Sequence, residues 1–240
     1  MNKKMIYTAV VLAAGKGKRM NSDVSKQFLE LNGKPVLYYS LAAFEKSPVD
    51  RIILVTGEAD IEYCRTEIVE KYGFRKVEQI TAGGKERYHS VWNGIQAAGE
   101  CDYILIHDGA RAFIDQQTIK RCMEDVRTNK ACVAAVPVKD TIKVVNDDLK
   151  GIKTPDRSTL WIIQTPQVFE RSLIWNAYRQ LAQELEKGTA PAVTDDTMVA
   201  EYYMNCSAHM VMGSYYNIKV TTPEDLVLGT AILNQPEQEL

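Results

Sequence analysis

The stretch Thr8-Ala-Val-Val-Leu12, followed directly by Ala13-Ala-Gly15-Lys-Gly17-Lys-Arg19-Met20, joins an apolar run to a loop rich in glycine and positive charge. A continuous apolar run that ends in a glycine turn is typical of a strand buried on both faces of a sheet. Glycines allow backbone N–H groups to approach an anion closely. The stretch therefore predicts a first β-strand that leads into a phosphate-binding loop. Positive side chains are concentrated in and just after this loop: Lys16, Lys18, Arg19 and Lys26.

Strand and helix alternate regularly as far as Val138. Further apolar runs predict strands at Arg51–Thr56, Val77–Ile80, Tyr103–His107 and Ala131–Val138. Segments of helical period predict helices at Val36–Lys46, Ile61–Tyr72, Arg87–Ala98 and Gln117–Thr128. This alternation predicts an α/β fold with a Rossmann-like, mostly parallel sheet that is covered by helices on both faces. Functional groups are expected at the carboxyl ends of the strands.

The pattern changes in residues 139–160. Two short runs, Thr141–Val145 and Lys150–Thr154, flank a polar turn at residues 146–148, which predicts a β-hairpin. Because this segment is too polar for a core layer, we expect it to project as an arm from a single domain, residues 1–240, and to contact a partner chain. After it, the sequence predicts helices at Ser172–Glu186 and Asp195–Met204, a last strand within Tyr216–Val220, and a helix capped by Thr222.

Composition excludes several classes of protein. The net charge of -2 argues against a surface for nucleic acid, because such surfaces neutralise phosphates with Lys and Arg. The five cysteines are odd in number and lack C-x-x-C spacing, so they predict reduced thiols in a cytoplasmic protein. Residues 2–14 resemble a secretion signal, but we interpret their apolar part as the first strand. No apolar run approaches the ~20 residues of a membrane span.

The first loop allows several interpretations. The dinucleotide fingerprint G-x-G-x-x-G fits Gly15 and Gly17 but meets Met20 where the third glycine belongs, and a Walker A loop is absent. A solvated cationic loop is the plainest alternative. The pattern Leu12-Ala-Ala-Gly-x-Gly-x-Arg-Met20, with Lys26-Gln-Phe28 after it, resembles the signature of sugar-phosphate nucleotidyltransferases.

Later motifs narrow this resemblance to one branch. Together they resemble the 2-C-methyl-D-erythritol 4-phosphate cytidylyltransferases of the non-mevalonate isoprenoid pathway, over about residues 7–232. Two positions depart from the family pattern, since Lys85 replaces a usual acidic residue and Ala112 a usual proline. The motifs are Gly83-Gly-Lys-Glu-Arg87 with Ser90, His107-Asp-Gly-Ala-Arg111, Pro137-Val-Lys-Asp-Thr141-Ile-Lys143, Asp156-Arg-Ser-Thr-Leu-Trp161, Gln164-Thr-Pro-Gln167, Thr194-Asp-Asp196 and Asn217-Ile-Lys219.

The resemblance implies transfer of a cytidylyl group from CTP to 2-C-methyl-D-erythritol 4-phosphate, which gives 4-diphosphocytidyl-2-C-methyl-D-erythritol and pyrophosphate. It also implies that Mg²⁺, or another divalent cation, is bound with CTP. A phosphate monoester has its second pKa at about 6, so the attacking group is largely a dianion at neutral pH and needs no general base. Such chemistry depends on positioning and electrostatics, and therefore calls for positive side chains rather than a histidine relay.

The resemblance also implies roles for individual residues. Thr141 and Arg157 belong to the arm, so we expect a homodimer in which each arm reaches into the neighbouring subunit's site. The catalytic set is Arg19, Lys26, Arg157 and Lys219. The CTP-binding set is Ala13, Ala14, Gly15, Gly17, Gly84, Ser90 and Gly109. The polyol-phosphate set is Asp108, Arg111, Thr141 and Thr165, with Asp108 also a candidate for the Mg²⁺ sphere.

Three alternatives remain open from the sequence. A ribitol-5-phosphate cytidylyltransferase would share the fold and the chemistry and differ only in its polyol. A non-catalytic nucleotide-binding regulator on the same scaffold is the second alternative, and an NAD-dependent enzyme, disfavoured by Met20, is the third.

Overall fold

One sheet of seven strands organises the part of the chain that the computed structural model describes, residues 4–15 and 25–235. The strands, numbered in chain order, are β1 (Tyr7–Ala13), β2 (Glu30–Leu31), β3 (Lys34–Pro35), β4 (Arg51–Thr56), β5 (Val77–Ala82), β6 (Tyr103–Asp108), β7 (Ala131–Pro137), β8 (Val144–Val145), β9 (Gly151–Lys153), β10 (Trp161–Glu170) and β11 (His209–Met212). The order in the main sheet is β11-β7-β10-β6-β1-β4-β5, so the two strands that precede the predicted site loops, β1 and β6, are neighbours.

Helices cover both faces of this sheet, as the sequence predicts. Alternate residues of β1 point to opposite faces. Val11 packs in the core cluster that contains residues of α1 and α4, whereas Val10 packs with residues of α3 and α5. Among the described residues, no helix has the length and apolar character needed to cross a membrane. The α-helices in this part of the chain are α1 (Val36–Lys46), α2 (Ile61–Tyr63, extended by a π-helical segment over Cys64–Glu70), α3 (Arg87–Ala97), α4 (Gln116–Asn129), α5 (Arg171–Lys187), α6 (Asp196–Met204) and α7 (Pro223–Leu233).

The sheet is mostly parallel, with one antiparallel strand that the sequence analysis missed. β1 pairs in parallel with β4 and β6, β4 with β5, and β7 with β11. β10 runs antiparallel between β6 and β7, and its pairing with β7 shifts register between Ile163 and Gln167. Polar side chains at Gln164, Thr165 and Gln167 interrupt the apolar pattern of this strand, which is why periodicity did not reveal it. These three side chains are nevertheless buried.

The predicted last strand within Tyr216–Val220 is wrong. The structure places the last strand earlier, at β11, and leaves residues 216–220 irregular. The backbone of this segment bonds to the loop after β6 instead of to a strand, because Val220 N–H donates to the Ala110 carbonyl at 2.8 Å. The Arg111 side chain donates to the Asn217 carbonyl at 2.8 Å. These bonds fix the segment that carries Lys219 against the end of the sheet.

The β-hairpin predicted between the main strands is confirmed. β8 and β9 form a separate two-stranded sheet that connects β7 to β10. Its turn is closed by Asn146, whose side chain accepts a hydrogen bond from the Lys150 backbone N–H at 2.9 Å. All residues of both strands are exposed, and large apolar side chains stand among them. The exposed apolar residues of the arm are Ile142, Val144, Val145, Leu149 and Ile152.

Candidate active site

A cleft of about 630 Å³ lies at the carboxyl ends of β1, β5 and β6, the edge of the sheet at which the sequence predicts functional groups. Its walls come from the loop after β1, the glycine turn after β5, the end of β6 and the segment that carries Lys219. Eight residues singled out from the sequence line this one cleft, although they come from four separate parts of the chain. They are Ala13, Ala14, Gly15, Lys26, Gly84, Ser90, Asp108 and Lys219.

The other predicted site residues are either outside the described part of the chain or not among the residues that line the cleft. Gly17 and Arg19 fall outside the described residues. Gly109 and Arg111 belong to the loop that follows β6, and Thr165 accepts a hydrogen bond from the Asp108 N–H at the end of that strand. Gly109 N–H donates to the Leu12 carbonyl of β1 at 2.8 Å.

The two predicted residues of the arm, Thr141 and Arg157, are exposed. Within the described part of the chain, neither is among the residues that line this cleft. The Arg157 side chain donates to the Lys139 carbonyl at 2.8 Å, a contact within the arm itself.

The glycine turn after β5 presses against the loop after β1. A Cβ atom at Gly83 would lie 2.4 Å from the Ala14 Cβ and 2.7 Å from the Ser90 Oγ, which is too close for any side chain. Gly83 N–H donates to the Thr56 carbonyl at 2.7 Å, and Gly84 N–H donates to Ser90 Oγ at 3.0 Å. Glycine at position 83 therefore permits the contact between the two loops, and Ser90 in the first turn of α3 holds the turn in place.

Lys26 is carried by a short 3₁₀ turn, Lys26–Phe28, at the mouth of the cleft. The buried Gln27 anchors this turn, because its side-chain amide donates to the Ala13 carbonyl at 2.5 Å. The hydrogen bond connects the lysine-bearing turn to the end of β1. The sequence motif predicts a role for Lys26, but nothing in the sequence indicates that Gln27 anchors the turn.

Asp108 ends β6 and is flanked by two positive side chains. Its Oδ2 lies 2.7 Å from Lys219 Nζ, and its Oδ1 lies 3.3 Å from Arg87 Nε. Burial opposes ionisation of this carboxyl group, but the charges of Arg87 and Lys219 outweigh burial and hold its pKa well below its usual range. Asp108 is therefore an ionised carboxylate at neutral pH, placed directly in the cleft.

A hydrogen-bonded chain behind Asp108 fixes its backbone. The Asp108 N–H donates to Thr165 Oγ1 at 3.1 Å, and Thr165 Oγ1 lies 2.9 Å from His107 Nδ1. His107 Nε2 lies 3.2 Å from the Arg111 carbonyl, which can only accept, so Nε2 donates and Nδ1 accepts from the threonine hydroxyl. Burial lowers the pKa of His107 to about 4, so the imidazole is neutral at pH 7. The Thr165 hydroxyl, predicted for the polyol, is engaged in this internal chain.

Arg87 and Asp196 form an ion pair to which the sequence analysis gave no role. Arg87 Nη1 and Nη2 donate to the two oxygens of Asp196 at 2.8 and 2.7 Å. Both residues stand within quoted motifs, but they are separated by 109 positions and nothing in the sequence indicates that they meet. The available signal was the glycine-turn motif itself, which ends in an arginine at the start of α3.

The protein-family comparison identifies the chain. The family model described as 2-C-methyl-D-erythritol 4-phosphate cytidylyltransferase matches residues 7–235. The chain belongs to this family. It is therefore a cytidylyltransferase, and the ribitol-5-phosphate, regulator and NAD-dependent alternatives are not favoured.

Curated relatives and solved structures agree with the family match. A 2-C-methyl-D-erythritol 4-phosphate cytidylyltransferase from Lachnospira eligens is 53% identical over 227 residues, covering 94% of this chain and 98% of its own. A protein of the same name from Lachnoclostridium phytofermentans is 48% identical, covering 95% and 96%. The crystal structure of 4-diphosphocytidyl-2C-methyl-D-erythritol synthase from Anaerococcus prevotii is 31% identical and superposes with a TM-score of 0.82, covering 96% and 97%. The similarity therefore spans nearly the whole chain.

Proposed function

We propose that this cleft transfers a cytidylyl group from CTP to 2-C-methyl-D-erythritol 4-phosphate. A phosphate oxygen of the acceptor attacks the α-phosphorus of CTP, the bond from the α-phosphorus to the bridging oxygen breaks, and pyrophosphate leaves. The products are 4-diphosphocytidyl-2-C-methyl-D-erythritol and pyrophosphate. The single observation that carries the proposal is the convergence of Lys26, Arg87 and Lys219 on one cleft whose other wall is a pair of glycine-containing turns.

The nucleotide is proposed to lie between those turns. Backbone groups at residues 13–15 approach the triphosphate, and Gly84 with Ser90 forms the wall for the base. Lys26 faces the same space and supplies positive charge near the α-phosphorus, which favours a transition state that accumulates negative charge there. Gly17 and Arg19 are proposed to extend this cradle.

The acceptor is proposed to lie on the Asp108 side of the cleft. Ionised Asp108 accepts hydrogen bonds from polyol hydroxyls, and Lys219, 2.7 Å from Asp108, attracts the acceptor phosphate. Arg111 orders this wall by donating to the Asn217 carbonyl at 2.8 Å, two residues before Lys219. Thr165 supports Asp108 from behind through its hydroxyl.

A homodimer is proposed to complete the acceptor side. Arg157 and Thr141 stand on an exposed arm whose strands carry apolar side chains toward solvent, a surface suited to a second copy of the chain. In the dimer, each arm places its Arg157 in the partner's cleft. Arginine suits this task because its planar guanidinium can bind two phosphate oxygens at once.

A divalent cation bound with CTP fits the cleft. In the described residues, no group of three or more His, Cys, Asp or Glu forms a ready-made metal site. Mg²⁺ commonly relies on nucleotide phosphates, water and only one or two carboxylates, and Asp108 provides an ionised carboxylate in the right place. We propose Asp108 as its protein contact. When bound, the cation would neutralise charge on the triphosphate.

We also propose a cytoplasmic location for the enzyme. All five cysteines are free thiols, and three of them, Cys64, Cys122 and Cys132, are buried. Free thiols are usual in proteins of a reducing compartment.

An acceptor assay tests the proposed function directly. The purified chain is incubated with CTP, Mg²⁺ and either 2-C-methyl-D-erythritol 4-phosphate, ribitol 5-phosphate or no acceptor, and pyrophosphate release is measured. We expect release with the first acceptor at least about a hundredfold above the other two, since specific polar contacts discriminate strongly. Release with ribitol 5-phosphate at an equal rate would contradict the assignment of the acceptor.

A further inference from the structure

Asp196, the first residue of α6, is a carboxylate buried completely behind the cleft. Its two oxygens accept the bidentate pair from Arg87, and its Oδ1 also accepts a hydrogen bond from the Tyr178 hydroxyl at 2.5 Å. Its backbone N–H donates to Gln167 Oε1 at 2.9 Å. A buried charge with this many partners has one orientation, because the loss of any partner leaves charge or a polar atom unpaired.

This carboxylate determines which way Arg87 points. A guanidinium carries its N–H donors in a rigid plane, so fixing two nitrogens fixes the third. Nη1 and Nη2 of Arg87 each donate to Asp196, and this orientation directs the Nε–H at Asp108, whose Oδ1 lies 3.3 Å away. Arg87 and Asp108 line the cleft, whereas Asp196 contributes nothing to its surface.

Because of Asp196, the guanidinium of Arg87 is shared between two carboxylates, Asp196 and Asp108. Burial opposes the charged form of Arg87, but the charges of Asp196 and Asp108 raise its pKa well above the usual value. Without Asp196, the whole guanidinium would be available to Asp108, which already holds Lys219 Nζ at 2.7 Å. If Asp108 accepted more hydrogen bonds from Arg87 as well as from Lys219, fewer of its lone pairs would be available to a ligand in the cleft.

We propose that Asp196 is a positioning residue: by holding Arg87 in a bidentate ion pair, it fixes Asp108 in the orientation that receives the acceptor. The inference rests on the proposed function, in which Asp108 contacts the polyol. Asp196 itself touches neither substrate.

The direct test is Asp196→Asn, which keeps the shape of the side chain and removes its charge. We expect the KM for 2-C-methyl-D-erythritol 4-phosphate to rise at least about tenfold, because a small misplacement of a substrate-positioning group is costly. The KM for CTP should rise several-fold less than the KM for the acceptor, because a divalent cation bound with CTP is held mainly by the phosphates and water rather than by Asp108. Steady-state kinetics with each substrate varied in turn measures both values.

The neighbouring Asp195 provides a matched control. It caps α6, with its Oδ1 accepting from the Met198 N–H at 2.9 Å, and it has no contact with Arg87 among the described hydrogen bonds. Asp195→Asn keeps a capping oxygen and should leave both KM values near wild type. If Asp196→Asn changes the kinetics no more than Asp195→Asn does, the positioning role is overturned.

A double-mutant cycle shows whether Asp196 acts through Arg87. Arg87→Lys removes the planar fork, so adding Asp196→Asn to it should cause no further rise in the acceptor KM. Additive effects would contradict the inference.

Tyr178→Phe removes only one hydroxyl donor from Asp196 and should raise the acceptor KM about two- to threefold. It provides the test if Asp196→Asn fails to fold. A wild-type chain that releases no pyrophosphate would refute the proposed function, whereas an active wild type with an unchanged acceptor KM in the variants refutes only the role of Asp196.

Discussion

The cleft and the arm supply positive charge in two different ways. At the end of β6, Asp108 lies 2.7 Å from Lys219 and 3.3 Å from Arg87. On the arm, Arg157 is exposed and donates only to a carbonyl of its own segment among the described hydrogen bonds. The sheet therefore fixes its charged groups within one chain, whereas the position of the arm's arginine depends on what the arm contacts. We propose that the CTP site and part of the acceptor site lie within one subunit, and that the arm of a neighbouring subunit completes the acceptor site; the following experiments test that division.

The largest effect is expected at Lys26, on the cleft side. Lys26→Ala should lower kcat at least about a hundredfold, roughly 3 kcal/mol or more, because positive charge is lost where the transition state gains negative charge. Steady-state pyrophosphate release measures it, with circular dichroism as the check on folding. Lys46→Ala, an exposed lysine at the end of α1, is the matched control and should behave like wild type. A Lys26→Ala enzyme with the wild-type kcat would contradict the proposed catalytic role of this cleft.

The second expected effect is a loss of folding stability at acidic pH, caused by protonation of His107. Burial depresses the pKa of His107 from 6.5 to about 4, so the unfolded chain binds the proton more readily between these values. Neutral His107 therefore contributes about 3 kcal/mol to the free energy of unfolding. This contribution is fully present above pH 6.5 and is lost as the pH falls toward 4. Urea unfolding at pH 7, 5.5 and 4.5 measures it. His107→Gln should flatten this dependence, and parallel curves for the two proteins would show that another group causes it.

A smaller and more selective effect is expected on the arm. Arg157→Ala should raise the KM for 2-C-methyl-D-erythritol 4-phosphate about tenfold or more and leave the KM for CTP nearly unchanged, because only the acceptor phosphate loses a ligand. Lys150→Ala, at the exposed turn of the same arm, removes an equal charge and serves as control. An equal rise in both KM values would contradict the division between cleft and arm.

The most direct test of that division mixes two impaired subunits, assayed at an acceptor concentration well below the KM of the Arg157→Ala enzyme. Equal amounts of Lys26→Ala and Arg157→Ala chains, dissociated and reassembled, should recover about a quarter of wild-type activity, since half of the dimers are mixed and half of their sites are intact. Each variant reassembled alone gives the baseline. Activity that stays at this baseline would place the whole site within one chain.

Much of the cleft was predictable because it follows from chain pattern. Apolar runs predict β1 and β6 as strands of one mostly parallel sheet, and the carboxyl-end rule then brings Gly15 and Asp108 to the same edge. The structure adds that the two strands are neighbours. The missed elements lack such a pattern. β10 carries the buried polar residues Gln164, Thr165 and Gln167, whose hydrogen-bond partners come from distant segments. Its hydropathy pattern therefore resembles that of a polar loop.

Contacts between distant segments account for the other failures. The segment Tyr216–Val220 has the composition of a strand, but Arg111 and Ala110 bind its backbone and keep it out of the sheet. The pairing of Arg87 with Asp196 likewise depends on how α3 and α6 pack. Periodicity describes what one segment buries, and it contains no information on which distant side chain satisfies a buried charge.

The contact at Gly83 also bears on which positions of this enzyme can vary. The backbone of Gly83 packs directly against the methyl group of Ala14, and this contact sets the spacing of the two loops. No space remains between them for a side chain at position 83. Lys85, two residues on, is exposed at the rim and has no such restriction. An acidic residue at position 85 can thus be replaced by lysine without altering the spacing of the two loops, whereas a methyl group at position 83 would force them apart.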